Sequence, residues 1–169
     1  AVCLYGVVVL GVGVVVDDAG NGVEGVAGLC LEGAVLVCLG SARFLINLVH
    51  LISVTVIGGD ESYTLKYTAY AALMDGTAVC QGYATLFYRM ALTAGVDTRV
   101  IIGDAGGAHA WNIALLDSLY YNLDSTWDAG QTEYAWFLKC PASFTGHTRN
   151  AAYDSEDFHA VYPMAAADY

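Results

Sequence analysis

Between residues 83 and 94 the apolar positions Tyr83, Phe87, Met90, Ala91 and Ala94 fall at helical spacing, the pattern of one buried helix face. Gly95 supplies the C′ stop, and counting back puts Cys80 at or just before the first turn. Downstream the pattern becomes that of strands, over residues 98–102, 109–116 and 119–124. Residues 103–107 (Gly-Asp-Ala-Gly-Gly) read as a flexible connection, and Asp117-Ser118 as a two-residue hairpin turn. Upstream, Phe44, Leu45, Leu48, Leu51 and Ile52 predict a helix ending near Val54. Gly58-Gly59-Asp60 reads as a loop, residues 67–74 as a short helix and Asp75-Gly76 as a turn. Residues 1–16 are almost wholly apolar and rich in Val and Gly, which suits a buried strand. Residues 17–40 have the length of a helix. We therefore expect an N-terminal segment, 1–40, packing on a principal domain, 41–169.

The hairpin sets a register. With Leu116 opposite Leu119, Trp111 falls opposite Asp124 and His109 opposite Thr126. Residues two apart on a strand share a face, as do directly opposed ones. His109 and Asp124 are then diagonal neighbours on one face, about 7–8 Å apart at the backbone, a gap that side chains can bridge. If this sheet packs against the start of the Cys80 helix, a thiol, an imidazole and a carboxylate converge.

Composition narrows the reading. The 169 residues carry 6 Lys+Arg against 17 Asp+Glu, a net charge of −11. No basic patch is available for nucleic acid, and anionic membrane surfaces are disfavoured. Residues 1–16 lack the basic n-region of a signal peptide and fall short of the roughly 20 residues of a spanning helix, which argues against membrane attachment. Hydrophobic residues make up 57%, so the chain can build a core. Only 14% is charged, against about 25% in ordinary domains, so motifs of large residues carry more weight here than net charge. Of five cysteines, an odd number, at least one stays unpaired within the chain. Cys3, Cys30 and Cys38 sit in apolar runs and read as buried hydrophobes. No Cys/His spacing suits zinc and no Asp spacing suits an EF-hand, so no metal or cofactor is expected.

Three segments then stand out together: Ala78-Val79-Cys80-Gln81-Gly82-Tyr83-Ala84, His109-Ala110-Trp111-Asn112, and Leu123-Asp124-Ser125-Thr126-Trp127-Asp128. In this order and spacing, residues 68–128 resemble the core of bacterial transglutaminase-like proteins. Further matching pieces are His50 and Asp60 upstream, and residues 134–138 and the Phe144…His147 stretch downstream. Gly59 stands where the family has an aromatic residue, Ser118 where it usually has Gly, and Tyr120 where it usually has Trp. The resemblance implies an α+β, papain-like core with a central helix packed on an antiparallel sheet. It also implies a bacterial protein, extracellular or at the cell surface.

By the same resemblance Cys80 takes the nucleophile position, His109 the base position and Asp124 the orienting position. The residue types fit: a thiol becomes a strong nucleophile as thiolate, favoured by a helix N-terminus and a nearby imidazole. A carboxylate holds that imidazole in the useful tautomer. The expected activity is that of a cysteine-dependent enzyme acting on protein or peptide amides through a thioacyl intermediate, as peptidase, deamidase or transamidase. The alternative is a non-catalytic protein- or peptide-binding module on the same fold. Gln81, Trp111, Asn112 and Trp127 are candidates for the oxyanion site or cleft. Asp124-Ser125-Thr126 also suits a turn-capping carboxylate, Tyr83 reads as core, and His50, His147 and His159 read as structural.

Overall fold

A computed structural model describes residues 55–56 and 62–169, apart from 130 and 132. The expected strand over 1–16, the helix over 17–40, the helix from Phe44, and the loop with Asp60 lie outside the described residues, as does His50.

Two short strands, β1 (Thr55–Val56) and β2 (Thr77–Ala78), pair in parallel. The short helix expected over 67–74 starts two residues later, helical over 69–75 with a π-helical turn at Ala71–Asp75, and a separate 3-10 turn at Thr64–Tyr67 precedes it. Thr68 separates them in extended conformation. Its hydroxyl donates to the Leu65 carbonyl at 2.8 Å and accepts the Ala71 N–H at 3.2 Å. A threonine side chain bonded to local backbone in this way competes with a continuous helix. Gly76, in the left-handed region, ends the helix.

The principal helix, α1 (Cys80–Thr93), begins at Cys80 itself. Gly95 follows it with φ of +80°, the C′ geometry expected for glycine. Tyr83, Leu86, Phe87, Met90 and Ala91 are buried along one face. Gly82 is glycine for want of space. A Cβ there would lie 2.7 Å from Ala78 Cβ and 2.8 Å from the Lys66 carbonyl oxygen. This close approach locks the first turn of α1 to the segment before it.

The sheet has the order β5-β4-β3-β6, antiparallel throughout, with β3 at Thr98–Asp104, β4 at Ala108–Leu116, β5 at Leu119–Leu123 and β6 at Thr148–Arg149. Leu116 pairs with Leu119 and Asn112 with Leu123, the register expected from the hairpin. Asp117 and Ser118 both have positive φ, as a type I′ turn requires. Gly103, expected in a connecting loop, lies inside β3, paired to His109 on one side and Arg149 on the other. A Cβ there would fall 2.1 Å from the Thr148 carbonyl oxygen and 2.6 Å from the Trp111 ring. Glycine is needed where β6 and Trp111 close on the strand.

Alternation along β4 and β5 divides the core. Ala114, Leu116, Tyr121 and Leu123 pack with the buried face of α1. Ile101, Trp111, Ile113 and Tyr120 pack on the other face with Phe144, covered by Tyr153, Phe158 and Tyr162. The last of these come from α2 (Glu156–Val161) and its flanks, with Ser155 Oγ accepting the Phe158 N–H at 3.2 Å as an N-cap. The free edge of β5 is covered by Lys139, paired with Asn122, and by Met164, bridged to Tyr120, which protects it from pairing with another chain. The result is the α+β core, helix on antiparallel sheet, expected from the sequence.

Candidate active site

The N-terminus of α1, the start of β4 and the residue just past β5 meet at one end of the sheet. Cys80 is the first residue of α1, His109 the second of β4, and Asp124 follows the last residue of β5. His109 Nε2 lies 2.7 Å from Asp124 Oδ2, and the Cys80 thiol hydrogen-bonds to the His109 imidazole. Asp124 is fully buried, whereas Cys80 and His109 are partly exposed.

Electrostatics follow from these contacts. Burial is the largest influence on Cys80 and pushes its thiol up. The hydrogen bond and charge of His109, with backbone bonds from Ala110 and Gln81, outweigh it, so the pKa falls below that of an ordinary thiol. The dipole of α1 acts in the same sense. Burial pushes His109 down, but hydrogen bonds and charge from Asp124 and Cys80 raise it to about 9. Burial likewise pushes Asp124 up, and hydrogen bonds from His109 and His147 bring it below the usual carboxylate range. The two shifts act in one sense, each favouring the thiolate–imidazolium pair.

Asp124 carries two assignments at once. Its Oδ1 accepts the N–H groups of Thr126 at 2.9 Å and Trp127 at 3.2 Å, capping the turn that follows β5. Its Oδ2 faces the imidazole. The turn-capping and orienting readings belong to different oxygens of one carboxylate.

The other sequence candidates are placed differently. Gln81 is exposed at the second position of α1, with its backbone bonded to the Cys80 thiol. Trp127 is half-buried, its ring 5.8 Å from that of His109, and lines a cavity of about 340 Å³ with Asp128, Glu133 and Trp136. Trp111 is fully buried beneath His109. Asn112 is fully buried away from this cluster, donating to the carbonyls of Ala84 in α1 at 3.0 Å and Arg99 in β3 at 3.3 Å. Tyr83 is core, as expected.

His147 is the residue that sequence reasoning missed. Its Nε2 lies 2.9 Å from the same Asp124 Oδ2, and its ring is enclosed by Phe144, Trp127, Trp111 and Trp136. The signal available was its place in the Phe144…His147 tail. Nothing local to residues 144–147 indicates a carboxylate 23 positions away. His109, Asp124 and His147 also place three potential metal-ligand atoms within 4.8 Å of one another. Both imidazoles direct those atoms to the carboxylate.

A family model for the transglutaminase-like superfamily matches residues 46–137, more than half of the chain. The chain belongs to the transglutaminase-like superfamily. The structure of a TGase is similar over 62% of this transglutaminase-like chain and 34% of its own length, at 18% identity and a TM-score of 0.42. A candidate cysteine protease from Cytophaga hutchinsonii is similar over 70% of this chain and 40% of its own, at 15% identity and a TM-score of 0.49. The chain thus spans well under half the length of either protein. No curated protein matches it. Membership places it in a family of cysteine enzymes. Among the described residues no helix is long and apolar enough to cross a membrane.

Proposed function

We propose that this transglutaminase-like domain is a cysteine enzyme that cleaves or exchanges protein or peptide amides, with Cys80 as nucleophile, His109 as acid–base and Asp124 as its orienting partner. The hydrogen-bonded chain from Cys80 through His109 to buried Asp124 carries this reading. The thiolate attacks the amide carbonyl carbon, forming a C–S bond as the carbonyl π pair moves onto oxygen. The backbone N–H of Cys80, at the positive end of α1, is the donor we assign to that oxyanion. Collapse expels the amine, which takes its proton from His109, and leaves a thioester. Water then attacks the thioester carbonyl, giving one proton to His109, and collapse breaks the C–S bond to release a carboxylic acid and restore the thiolate beside protonated His109. An amine attacking in place of water gives a new amide instead.

The test is iodoacetamide labelling of the native protein across pH, read by peptide mass spectrometry, in the wild type and His109→Ala. We expect Cys80 to label rapidly near pH 6 and to lose that reactivity in the variant. Cys140, buried with its Sγ against the Ser143 hydroxyl, is the internal reference. Labelling of Cys80 no faster than Cys140 would overturn the reading and favour a binding module. A fluorescent primary amine supplied with a glutamine-containing peptide then separates transamidation from hydrolysis.

A further inference from the structure

We propose that His147 is a positioning residue of this site: protonated on both ring nitrogens, it holds Asp124 Oδ2 alongside His109 and divides the carboxylate's charge between two imidazoles. The argument starts from donor and acceptor counting. Nδ1 of His147 lies 3.2 Å from the Thr145 carbonyl oxygen, and Nε2 lies 2.9 Å from Asp124 Oδ2. A carbonyl oxygen only accepts, so Nδ1 must carry hydrogen. An ionised carboxylate only accepts, so Nε2 must carry hydrogen too. A neutral imidazole has one N–H and cannot satisfy both.

The remaining escape would be a protonated Asp124, and its surroundings oppose that. Its Oδ1 accepts two backbone N–H groups, and its Oδ2 faces His109 as well as His147. A carboxylate met only by donors is held ionised. Charge balance agrees. With Cys80 as thiolate and His109 as imidazolium, Asp124 leaves the buried cluster one negative charge in excess. A cationic His147 cancels it where an uncompensated charge is costly.

Packing fixes the ring in this role. The side chain is 1% exposed. Its ring stacks on Phe144 at 4.0 Å, with Trp127 at 4.4 Å and Trp111 at 5.1 Å. Electron-rich ring faces also suit a cation. The other charged groups nearby are Arg149 and Asp154, which share a cavity of about 210 Å³ with His147, and Asp128, whose charge bears on Asp124. Arg149 is engaged elsewhere, donating to Asn122 Oδ1 at 2.7 Å and to the Tyr153 carbonyl.

The consequence falls on His109. Sharing Oδ2 with a second cation loosens the hold of Asp124 on the His109 proton, which must be released to the leaving amine in the proposed reaction. The kinetic part of the inference rests on that proposed reaction; the protonation of His147 does not.

Two measurements on the full chain test it. Long-range ¹H–¹⁵N spectra of the histidine rings near pH 7 are expected to show both nitrogens of His147 protonated; a neutral tautomer would overturn the proposal. In His147→Gln, whose amide can donate to Oδ2 without charge, the titration midpoint of His109 is expected to rise by about one pH unit. An unmoved midpoint in folded His147→Gln would also overturn it. Should Cys80 prove unreactive while His147 is doubly protonated, the proposed reaction fails and this inference stands. Should Cys80 react normally beside a neutral His147, the reverse holds.

Discussion

Asp124 and Asp128 lie four residues apart, both buried, and their surroundings drive their charge in opposite directions. Asp124 is met by donors at both oxygens. Asp128 Oδ1 accepts the Trp136 N–H at 3.1 Å, while its Oδ2 is buried without a partner. Burial therefore pushes its carboxyl up to about 6, with the charge of Asp124 adding to the rise. The folded state then binds more protons than the unfolded state between about pH 4 and 6, and Asp128 costs stability as pH rises through that window. A rise of two units corresponds to about 2–3 kcal/mol. Asp128→Asn keeps the acceptor for Trp136 and removes the charge. Urea midpoints at pH 4 and pH 7 should show the variant gaining on the wild type at the higher pH. Gly82 makes a steric demand of comparable size. Gly82→Ala drives a methyl into Ala78 and the Lys66 backbone and should cost about 2–3 kcal/mol in denaturant melts. Because the clash is one turn from Cys80, labelling of that thiol should slow as well.

At the level of elements, the β4–β5 hairpin was the most legible part of the chain. Its register followed from two turn residues and the demand that apolar positions share a face, and the ladder from Leu116–Leu119 to Asn112–Leu123 has that register. Ser118 is nonetheless a poor occupant of its site, with φ of +76°. The left-handed conformation costs a non-glycine residue about 1–2 kcal/mol, partly offset by the greater backbone entropy lost by glycine. Ser118→Gly should therefore raise stability by about 0.5–1 kcal/mol, seen as a higher thermal midpoint with Cys80 labelling unchanged. The helix expected over 67–74 was less legible. Its apolar pattern runs from Tyr67, but the Thr68 hydroxyl takes over local backbone partners and moves the start of the helix to residue 69. Gly103 was misread for the opposite reason. A glycine beside Asp104 resembles a loop until β6 and Trp111 are seen pressing on it.

Across the whole molecule, Asp124 joins β4, the turn after β5 and the segment before β6 through its bonds to His109, Thr126, Trp127 and His147. Asp124→Asn should cost about 3–5 kcal/mol near neutral pH, the scale for breaking a buried ion pair from one side. Because the folded-state pKa of Asp124 lies below the usual range, its contribution is full at neutral pH and fades as pH falls through and below that range. The gap between wild type and variant, followed by urea denaturation at pH 7, 5 and 3, should narrow toward acid. A constant gap would mean that Asp124 acts through shape and not charge.

The order Cys80, His109, Asp124, the start of α1 and the hairpin register were determined by sequence alone, because each depends on local periodicity, turn chemistry or short-range spacing. Family membership was legible for the same reason, since its motifs are short runs of large residues. What tertiary structure decided is the rest of the carboxylate's environment. His147 reaches Asp124, with Phe144 stacked on its ring, only because β6 pairs with β3 across a glycine and folds the tail back over Trp111. That is a long-range packing event, and no periodicity around residue 147 encodes which buried charge its imidazole will meet.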